Sequence, residues 1–452
     1  MKKILLLIAL GCALSASAQT YTLEQIKNSA LHNNITIRSA KYNIDVAKQQ
    51  RKEAFTKYFP NVSGIGLWFN ANKGMALTTI NPSAGISPEL GAALAQSLPQ
   101  EALAALENPV SISMMKNGTI GSLMAVQPVF AGGQIINGNK LAKVGEEVSR
   151  LQLQLSENEV EKTAEQYFWQ LASMQEKMKT TEAVDTLLAS IYNDVDMAVK
   201  AGLAMPNDLL QVQLRQNDIE SQRLKLKNGI SIVRLLLSQY CGLRDNTSFV
   251  ISYQTDVISP LATKQDHRQA LLGTAEYQLL GKQVEAANLQ KKLAVGQNLP
   301  SVAIGVGYNY HNLLDNNHTF GMVFATVSVP ISDWWGGSHA IKRRQIEHQK
   351  AVEQLENNAQ LLTIRMQSDW NGVEESYQQL LLSQRSIKQA EENLRLNRNY
   401  YRAGTSKMSD LREAQLLYQQ ALDRRTDAFT DYQNKLLEYH QAIGGQLRNH
   451  VD

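Results

Sequence analysis

The chain is written twice. Ala30, Leu31, Ala47, Lys52, Ala54, Pro60 and Val62 recur 240 positions later as Ala270, Leu271, Ala287, Lys292, Ala294, Pro300 and Val302. Farther on the shift is 202: Pro128 pairs with Pro330, Ala201 and Gly202 with Ala403 and Gly404, Asp208 with Asp410, and Gly242 with Gly444. The fall from 240 to 202 leaves 38 extra residues in the first copy, between Pro60 and Pro128. A period this long is no short-repeat solenoid. It implies a duplicated unit with pseudo-twofold symmetry, the copies spanning 19–243 and 263–452 around a connector at 244–262.

The first residues have the three parts of a secretory signal: basic Lys2 and Lys3, the apolar run Ile4 to Leu10, and the small residues Ser15 to Ala18 before Gln19. A leader at 1–18 is therefore expected. The rival reading, a lipoprotein with Cys12 lipidated, fits poorly because Ala9 stands where a large apolar residue belongs. After cleavage Cys241 is the remaining cysteine, so no intrachain disulfide is expected and a packing role suits it. With 45 basic and 42 acidic residues the charge is near balance, which argues against nucleic acid as a partner. No stretch of the mature chain approaches the roughly 18 apolar residues of a membrane helix. A periplasmic, a released and a β-barrel protein all remain compatible with this composition.

Each copy has the same order of elements. Helical stretches from about Leu23 to Tyr58 and from about Gln265 to Gln297 are rich in Ala, Gln, Lys and Glu, with Gly and Pro scarce. Pro60 and Pro300 end them, and alternation begins. Val302, Ile304, Val306, Tyr308 and Tyr310 fall on one face, opposite Ser301, Ala303, Gly305, Gly307 and Asn309. In the first copy Ile65, Leu67 and Phe69 fall opposite Gly64, Gly66, Trp68 and Asn70. Return strands are expected from Thr119 to Gln127 and from Thr319 to Val329, ended by Pro128 and Pro330. About ten residues per strand is the span of a tilted transmembrane strand, and apolar-out, small-in alternation is the barrel signature. A soluble antiparallel sheet with one wet face is the plainer alternative.

Two very long helices follow, from about Gly133 to Lys200 and from about Gly337 to Ala403, each spanning roughly 100 Å at 1.5 Å per residue. Gly202 and Gly404 end them as left-handed caps. Partner helices are expected to start near Asn207 and Ser409, both good cap types, and to run to Gly242 and Gly444. Hairpins this long must be coiled coils. The spacing of Leu411, Ala414, Tyr418 and Ala421 fits a narrow seam. The connector contains the β-prone run Phe249-Val250-Ile251.

Four strands cannot close a barrel, and lipid does not tolerate an open edge. Closure then needs several chains. Two would give about eight strands around a filled interior, and three about twelve around an aqueous lumen. Small residues read as lumen-facing (Gly64, Gly66, Gly305, Gly307) suit an open interior. The sequence alone implies oligomerisation without fixing the number.

The order of helix, strand pair and long hairpin, repeated, resembles the TolC-like outer membrane efflux protein family over essentially the whole mature chain. The likeness is anchored by Pro128-Val129-Phe130 with Gly132-Gly133, by Pro330-Ile331-Ser332-Asp333 with Gly336-Gly337, and by the two tips. It implies a membrane α+β fold. Three protomers would give a twelve-stranded barrel, four strands from each, continuing into a periplasmic α-helical coiled-coil tunnel. The tunnel end would be closed by the hairpin tips and would dock a periplasmic adaptor and an inner-membrane pump of RND, ABC or MFS type. No cofactor is implied.

The second tip, Tyr401 to Glu413, is similar to the family's, in which two acidic residues three apart ring the closed mouth. That pattern lands on Asp410 and Glu413, which share a helix face. Such carboxylate rings attract cations, so bound cations would favour closure. The plain alternative is a pair of helix-start acids favoured by the dipole. In the first tip, the resemblance places Asn207 and Asp208, with Tyr401, among the polar residues that tie neighbouring hairpins shut. Gly202, Leu203, Gly404 and Thr405 fall where the adaptor docks. The chain departs from the family pattern at Ser406, where some members carry an arginine that pairs with the acidic residue matched by Asp208. Either Lys407 beside it replaces that arginine or the lock is weaker.

Trp334 and Trp335 stand at a strand-to-helix junction, as membrane-interface aromatics do. The histidines show no metal-ligand pairing on a shared face, and no nucleophile–base set or phosphate loop is present, so neither a metal site nor catalysis is expected. The chain reads as a passive export duct in the outer membrane with cargo chosen by the pump. The competing reading is a periplasmic coiled-coil adaptor or scaffold without a pore. The 38 extra residues fall within a loop at 71–117 whose stretch from Pro88 to Leu106 reads as helical, either a lid over the barrel mouth or a floppy surface loop.

Overall fold

The computed structural model describes residues 20–243, 249–255, 259–260, 264–313, 316–331 and 333–445. The expected leader, Cys12 and much of the connector lie outside the described residues. The first half runs β1 (Thr20–Thr22), α1 (Leu23–Asn33), α2 (Ile35–Thr56), β2 (Asn61–Asn70), β3 (Ala76–Ile80), α3 (Pro88–Ser97), α4 (Gln100–Glu107), β4 (Val110–Met114), β5 (Asn117–Ala131), α5 (Gln134–Lys200) and α6 (Pro206–Cys241). The second runs β6 (Val250–Ser252), α7 (His267–Gly273), α8 (Ala275–Gln297), β7 (Ser301–Asn312), β8 (Asn317–Ser328), α9 (Asp333–Arg402) and α10 (Met408–Ala442). Among the described residues no helix is long and apolar enough to cross a membrane.

The chain divides into two compact units, one of residues 1–48, 144–285 and 349–452 and the other of residues 49–143 and 286–348. The first is mainly helical. All four long helices contribute to its core, with Phe168 and Leu171 from α5, Leu237 from α6, Trp370 from α9, and Tyr432 and Tyr439 from α10. Ile26, Ile37, Phe249 and Ile251 join them, and the rings of Trp370 and Tyr439 stand 5.0 Å apart. β1 adds a short parallel pairing to β6, so the β-prone connector residues do form a strand. Cys241 is buried among these residues, and burial pushes its thiol up to about 12, which keeps it unreactive.

Each expected leading helix is broken once, at Asn34 and at Thr274. Asn34 accepts the Thr36 N–H on Oδ1 at 2.8 Å. Its Nδ2 donates to the Tyr240 carbonyl at 3.1 Å, and Asn33 Nδ2 donates to the Cys241 carbonyl at 3.0 Å. These amides leave their own helix to satisfy the last carbonyls of α6, whose chain turns at Gly242 with φ 65°. In the second copy the Thr274 hydroxyl donates to the Leu271 carbonyl at 2.8 Å and accepts the Tyr277 N–H at 3.3 Å. Such short polar side chains offer the backbone an alternative to the helix, which composition alone does not reveal.

The second unit carries a four-stranded antiparallel sheet in the order β2-β5-β7-β8. The central pairing of β5 with β7 joins the strand pair of one copy to that of the other. β5 does not stop at Pro128; a bulge between Pro128 and Phe130 carries it on to Ala131. A proline has no N–H to give a ladder and is tolerated at such an irregularity.

Register also corrects the expected faces. Gly64 pairs with Leu123 and Leu123 with Tyr308, so Gly64 and Gly66 share a face with Val302, Ile304, Val306 and Tyr308. Gly305 and Gly307 lie on the opposite face, together with Ile65, Leu67 and Phe69. Apolarity assigns faces one strand at a time, whereas the ladder fixes their parity, and a shift of one residue exchanges them. Gly305 is buried beneath the Phe324 ring, although Ile65 and Leu67 on the same face are exposed, and Leu123, Ile304, Val306 and Tyr308 are exposed on the other side. Within the chain, β2 and β8 each keep one edge unpaired among the described residues.

The extra segment of the first copy is ordered into elements. β3 and β4 pair as an antiparallel ladder, with α3 and α4 between them. The single helix expected there is split at Leu98-Pro99. Ser87 caps α3 by accepting the Leu90 N–H at 3.4 Å, with Pro88 opening the helix. At the junction of β5 with α5, Gly132 (φ +59°) sits against Gly296 near the end of α8, and Gln134 Nε2 donates to the Gly296 carbonyl at 3.2 Å.

Candidate gate at the helical tips

Both hairpins turn through left-handed glycines. Gly202 (φ +74°) donates its N–H to Val199 at 3.0 Å and Leu203 donates to Ala198 at 2.8 Å. Gly404 (φ +71°) donates to Tyr401 at 3.0 Å and Thr405 donates to Tyr400 at 2.9 Å. This is the same closure twice, and it satisfies the last carbonyls of α5 and α9. The returning helices are capped by Met205 and Lys407, not at Asn207 and Ser409. Pro206 and Met408 occupy the first helical position, so Asp208 and Asp410 both stand at the third. Pro206 suits that start because its missing N–H would have had no helical partner.

Asp410 serves its own helix. Its Oδ2 accepts the Lys407 N–H at 3.3 Å and the Ser406 hydroxyl at 3.1 Å, and Oδ1 accepts the Ser409 hydroxyl at 3.1 Å. The Lys407 N–H, then the two hydroxyls, hold its carboxyl below the usual range. Glu413, one turn on, is exposed. The helix-start reading of Asp410 is therefore realised within this chain. Leu203 is 84% exposed at the first tip, and Gly202, Asn207, Gly404 and Thr405 are exposed beside it or at the second.

Tyr401 and Asp208 meet between the hairpins, the phenol donating to Asp208 Oδ2 at 3.4 Å. Burial first, then the Asp208 charge, pushes the Tyr401 phenol up to about 12 from 10.0. A raised phenol pKa favours the neutral donor. The contact is thus fully present below pH 10 and lost as pH climbs toward about 12. We expect the ultraviolet difference titration between the wild type and Tyr401→Phe to show this late midpoint; a midpoint near 10 would contradict the contact.

A further link between the hairpins near the tips was not legible as a motif. Arg398 Nη2 donates to Ser190 Oγ at 2.6 Å and to Asp194 Oδ2 at 3.1 Å. Arg402 donates to the same Asp194 oxygen through Nη2 at 2.7 Å and Nε at 3.1 Å. Ser190 with Asp194, and Arg398 with Arg402, are each four apart and face one another from α5 and α9. Lys407 forms no ion pair with Asp208 among the described residues of this chain. Beneath this layer Ile191, Val195, Val212, Leu394, Met408, Leu411 and Ala414 form a small apolar core.

Trp335 is 82% exposed at the start of α9, and the Trp334 side chain lies outside the described residues. His311 and His318, seven apart in sequence, are directly opposed across β7 and β8.

A four-stranded antiparallel sheet and two long helical hairpins within one chain make up a fold that solved outer-membrane channels share. The solved channel OprN matches with a TM-score of 0.76 at 14% identity, over 94% of this chain and 90% of that one. CmeC of Campylobacter jejuni matches at 0.71 and 14% identity, over 97% and 92%. The open state of MtrE from Neisseria gonorrhoeae matches at 0.70 and 15%, over 94% and 89%. At these identities the likeness speaks to the fold. Residues 269–445 match the model of the outer membrane efflux protein family, which bears out the resemblance drawn from the sequence. No curated protein matches the chain.

Proposed function

We propose that this chain is the outer-membrane exit duct of a tripartite efflux or type I secretion system. Three copies close a twelve-stranded barrel, four strands from each, that continues into a periplasmic α-helical tunnel. The duct is passive: an inner-membrane pump of RND, ABC or MFS type supplies the energy, and a periplasmic adaptor docks at the tips around Leu203 and Thr405. Tip contacts of Asp208, Tyr401, Asn207, Asp410 and Glu413 keep the mouth closed until the adaptor engages. Trp335 and Trp334 sit at the membrane boundary.

The observation that carries this reading is the sheet. Its strands are ten to fifteen residues long, one face exposes Leu123, Ile304, Val306, Tyr308, Val323 and Val327, and both outer edges are unpaired among the described residues. In water, exposed edges and apolar faces invite aggregation. In lipid, closure on identical chains satisfies both. The protein is expected to require detergent for extraction, to migrate as a heat-modifiable trimer and to form discrete pores in planar bilayers. A monomer recovered without detergent would overturn the duct and favour the periplasmic scaffold.

A further inference from the structure

We propose that His311 and His318 form a binding site for a divalent transition cation such as Zn²⁺ on the face of the sheet that carries Gly305. The two residues stand seven apart in sequence, so no metal-ligand spacing marks them. The β7–β8 ladder pairs them directly, with ring centres 5.2 Å apart. Two imidazoles on one zinc, each about 2.0 Å from the metal at a near-tetrahedral angle, place their ring centres roughly 5 Å apart. Cross-strand neighbours in an antiparallel pair have their Cβ atoms close enough for this without backbone movement.

A second observation points the same way. His311 Nδ1 is shielded from solvent and has no hydrogen-bond partner among the described residues. An imidazole nitrogen shielded from water without a partner is a standing cost, which a coordinated cation removes. The ring of Phe320 lies 6.3 Å from that of His311 and 5.9 Å from that of His318, giving the pair an apolar neighbour on one side. Two protein ligands leave further coordination positions for water or a passing ligand, the open arrangement of a site that exchanges its ion. Zn²⁺, Ni²⁺ and Cu²⁺ suit imidazole, whereas Mg²⁺ and Ca²⁺ prefer oxygen.

The pair lies at the turn end of the β7–β8 hairpin, opposite the end at which α8 and α9 attach. If the trimeric duct proposed above is correct, three such pairs line the lumen near its outer mouth. Binding itself does not depend on that reading, so the test is made on the purified full-length chain in detergent, without a polyhistidine tag. Zn²⁺ titrated calorimetrically should bind one ion per protomer. His311→Asn and His318→Asn should each weaken binding at least tenfold, and Mg²⁺ should not compete. His339→Ala, at an exposed position on α9, should leave the isotherm unchanged. An unchanged isotherm in the double His311→Asn, His318→Asn variant, or no saturable heat in the wild type, would overturn the site. Far-ultraviolet circular dichroism of each variant separates lost ligands from lost folding. A scaffold rather than a duct would show the same binding without any effect of Zn²⁺ on bilayer currents.

Discussion

Asp194→Asn is expected to raise the single-channel conductance of this protein more than the double change Asp208→Asn with Tyr401→Phe. Tyr401 reaches Asp208 at 3.4 Å, a long contact for two oxygens. Asp194 takes three charge-assisted bonds on one oxygen, at 2.7 to 3.1 Å, from two guanidiniums. It is also more enclosed, with the Asp194 side chain 22% exposed and Arg398 25%. Loss of its charge leaves two arginines facing one another with neutral acceptors in its place, the amide oxygen of the new side chain and the Ser190 hydroxyl. Leaving charged groups without their partner costs about 1–3 kcal/mol, and water contact at Arg402 brings the figure toward the lower part of that range. About 1.4 kcal/mol is a factor of ten in an equilibrium, so the closed-to-open ratio should fall by about tenfold. Bilayer recordings of the two variants and of their combination decide the matter. Unchanged conductance when Asp194, Asp208 and Tyr401 are all replaced would remove the gate from the tips.

That clamp shows where the sequence stops being informative. The tips themselves could be read because their signals are local: a glycine at each turn, an acidic residue three positions into each returning helix, and the same offset of 202 relating them. Asp194 and Arg402 carry no local signal. They lie 208 positions apart and meet because two hairpins pack side by side, which no periodicity within one helix encodes. The sheet teaches the same lesson in another form. Period-two alternation placed β7 and β8 well, yet the faces of β2 came out inverted. Which residues are opposed is a property of the β2–β5–β7 ladder, and glycine and isoleucine alternate equally well in either phase. His311 and His318 escaped for the same reason. The helix breaks at Asn34 and Thr274 were missed because a single polar residue within an Ala- and Gln-rich run is usually solvent-facing. Here Asn34 is recruited by the distant end of α6.

Gly132→Ala is expected to abolish assembly of the folded protein, while Gly202→Ala leaves it folded. The two glycines share a backbone conformation, φ +59° and φ +74°. An L-residue held in the left-handed region costs roughly 1–2 kcal/mol, and both variants incur that. They differ in what a Cβ would meet. At Gly202 nothing lies within 4 Å, so the added methyl enters open space at the tip. At Gly132 it would collide with the Gly296 carbonyl, backbone that cannot rotate aside. Gly296 meets the Gly132 carbonyl in the same manner, so neither partner has room to give. The contact lies where β5, past its bulge, hands over to α5 beside the end of α8, the helix that leads into β7. Displacing it shifts the start of β7 against β5, and the ladder between those strands is the seam that unites the two copies. A change that must move a central strand belongs with the rare losses above about 4 kcal/mol. Heat-modifiable trimer should therefore be absent or greatly reduced for Gly132→Ala and for Gly296→Ala. Gly202→Ala and Gly404→Ala should yield trimer with a modestly lower melting temperature. Equal yields from Gly132→Ala and Gly202→Ala would show that the close approach is not what fixes the register of the sheet.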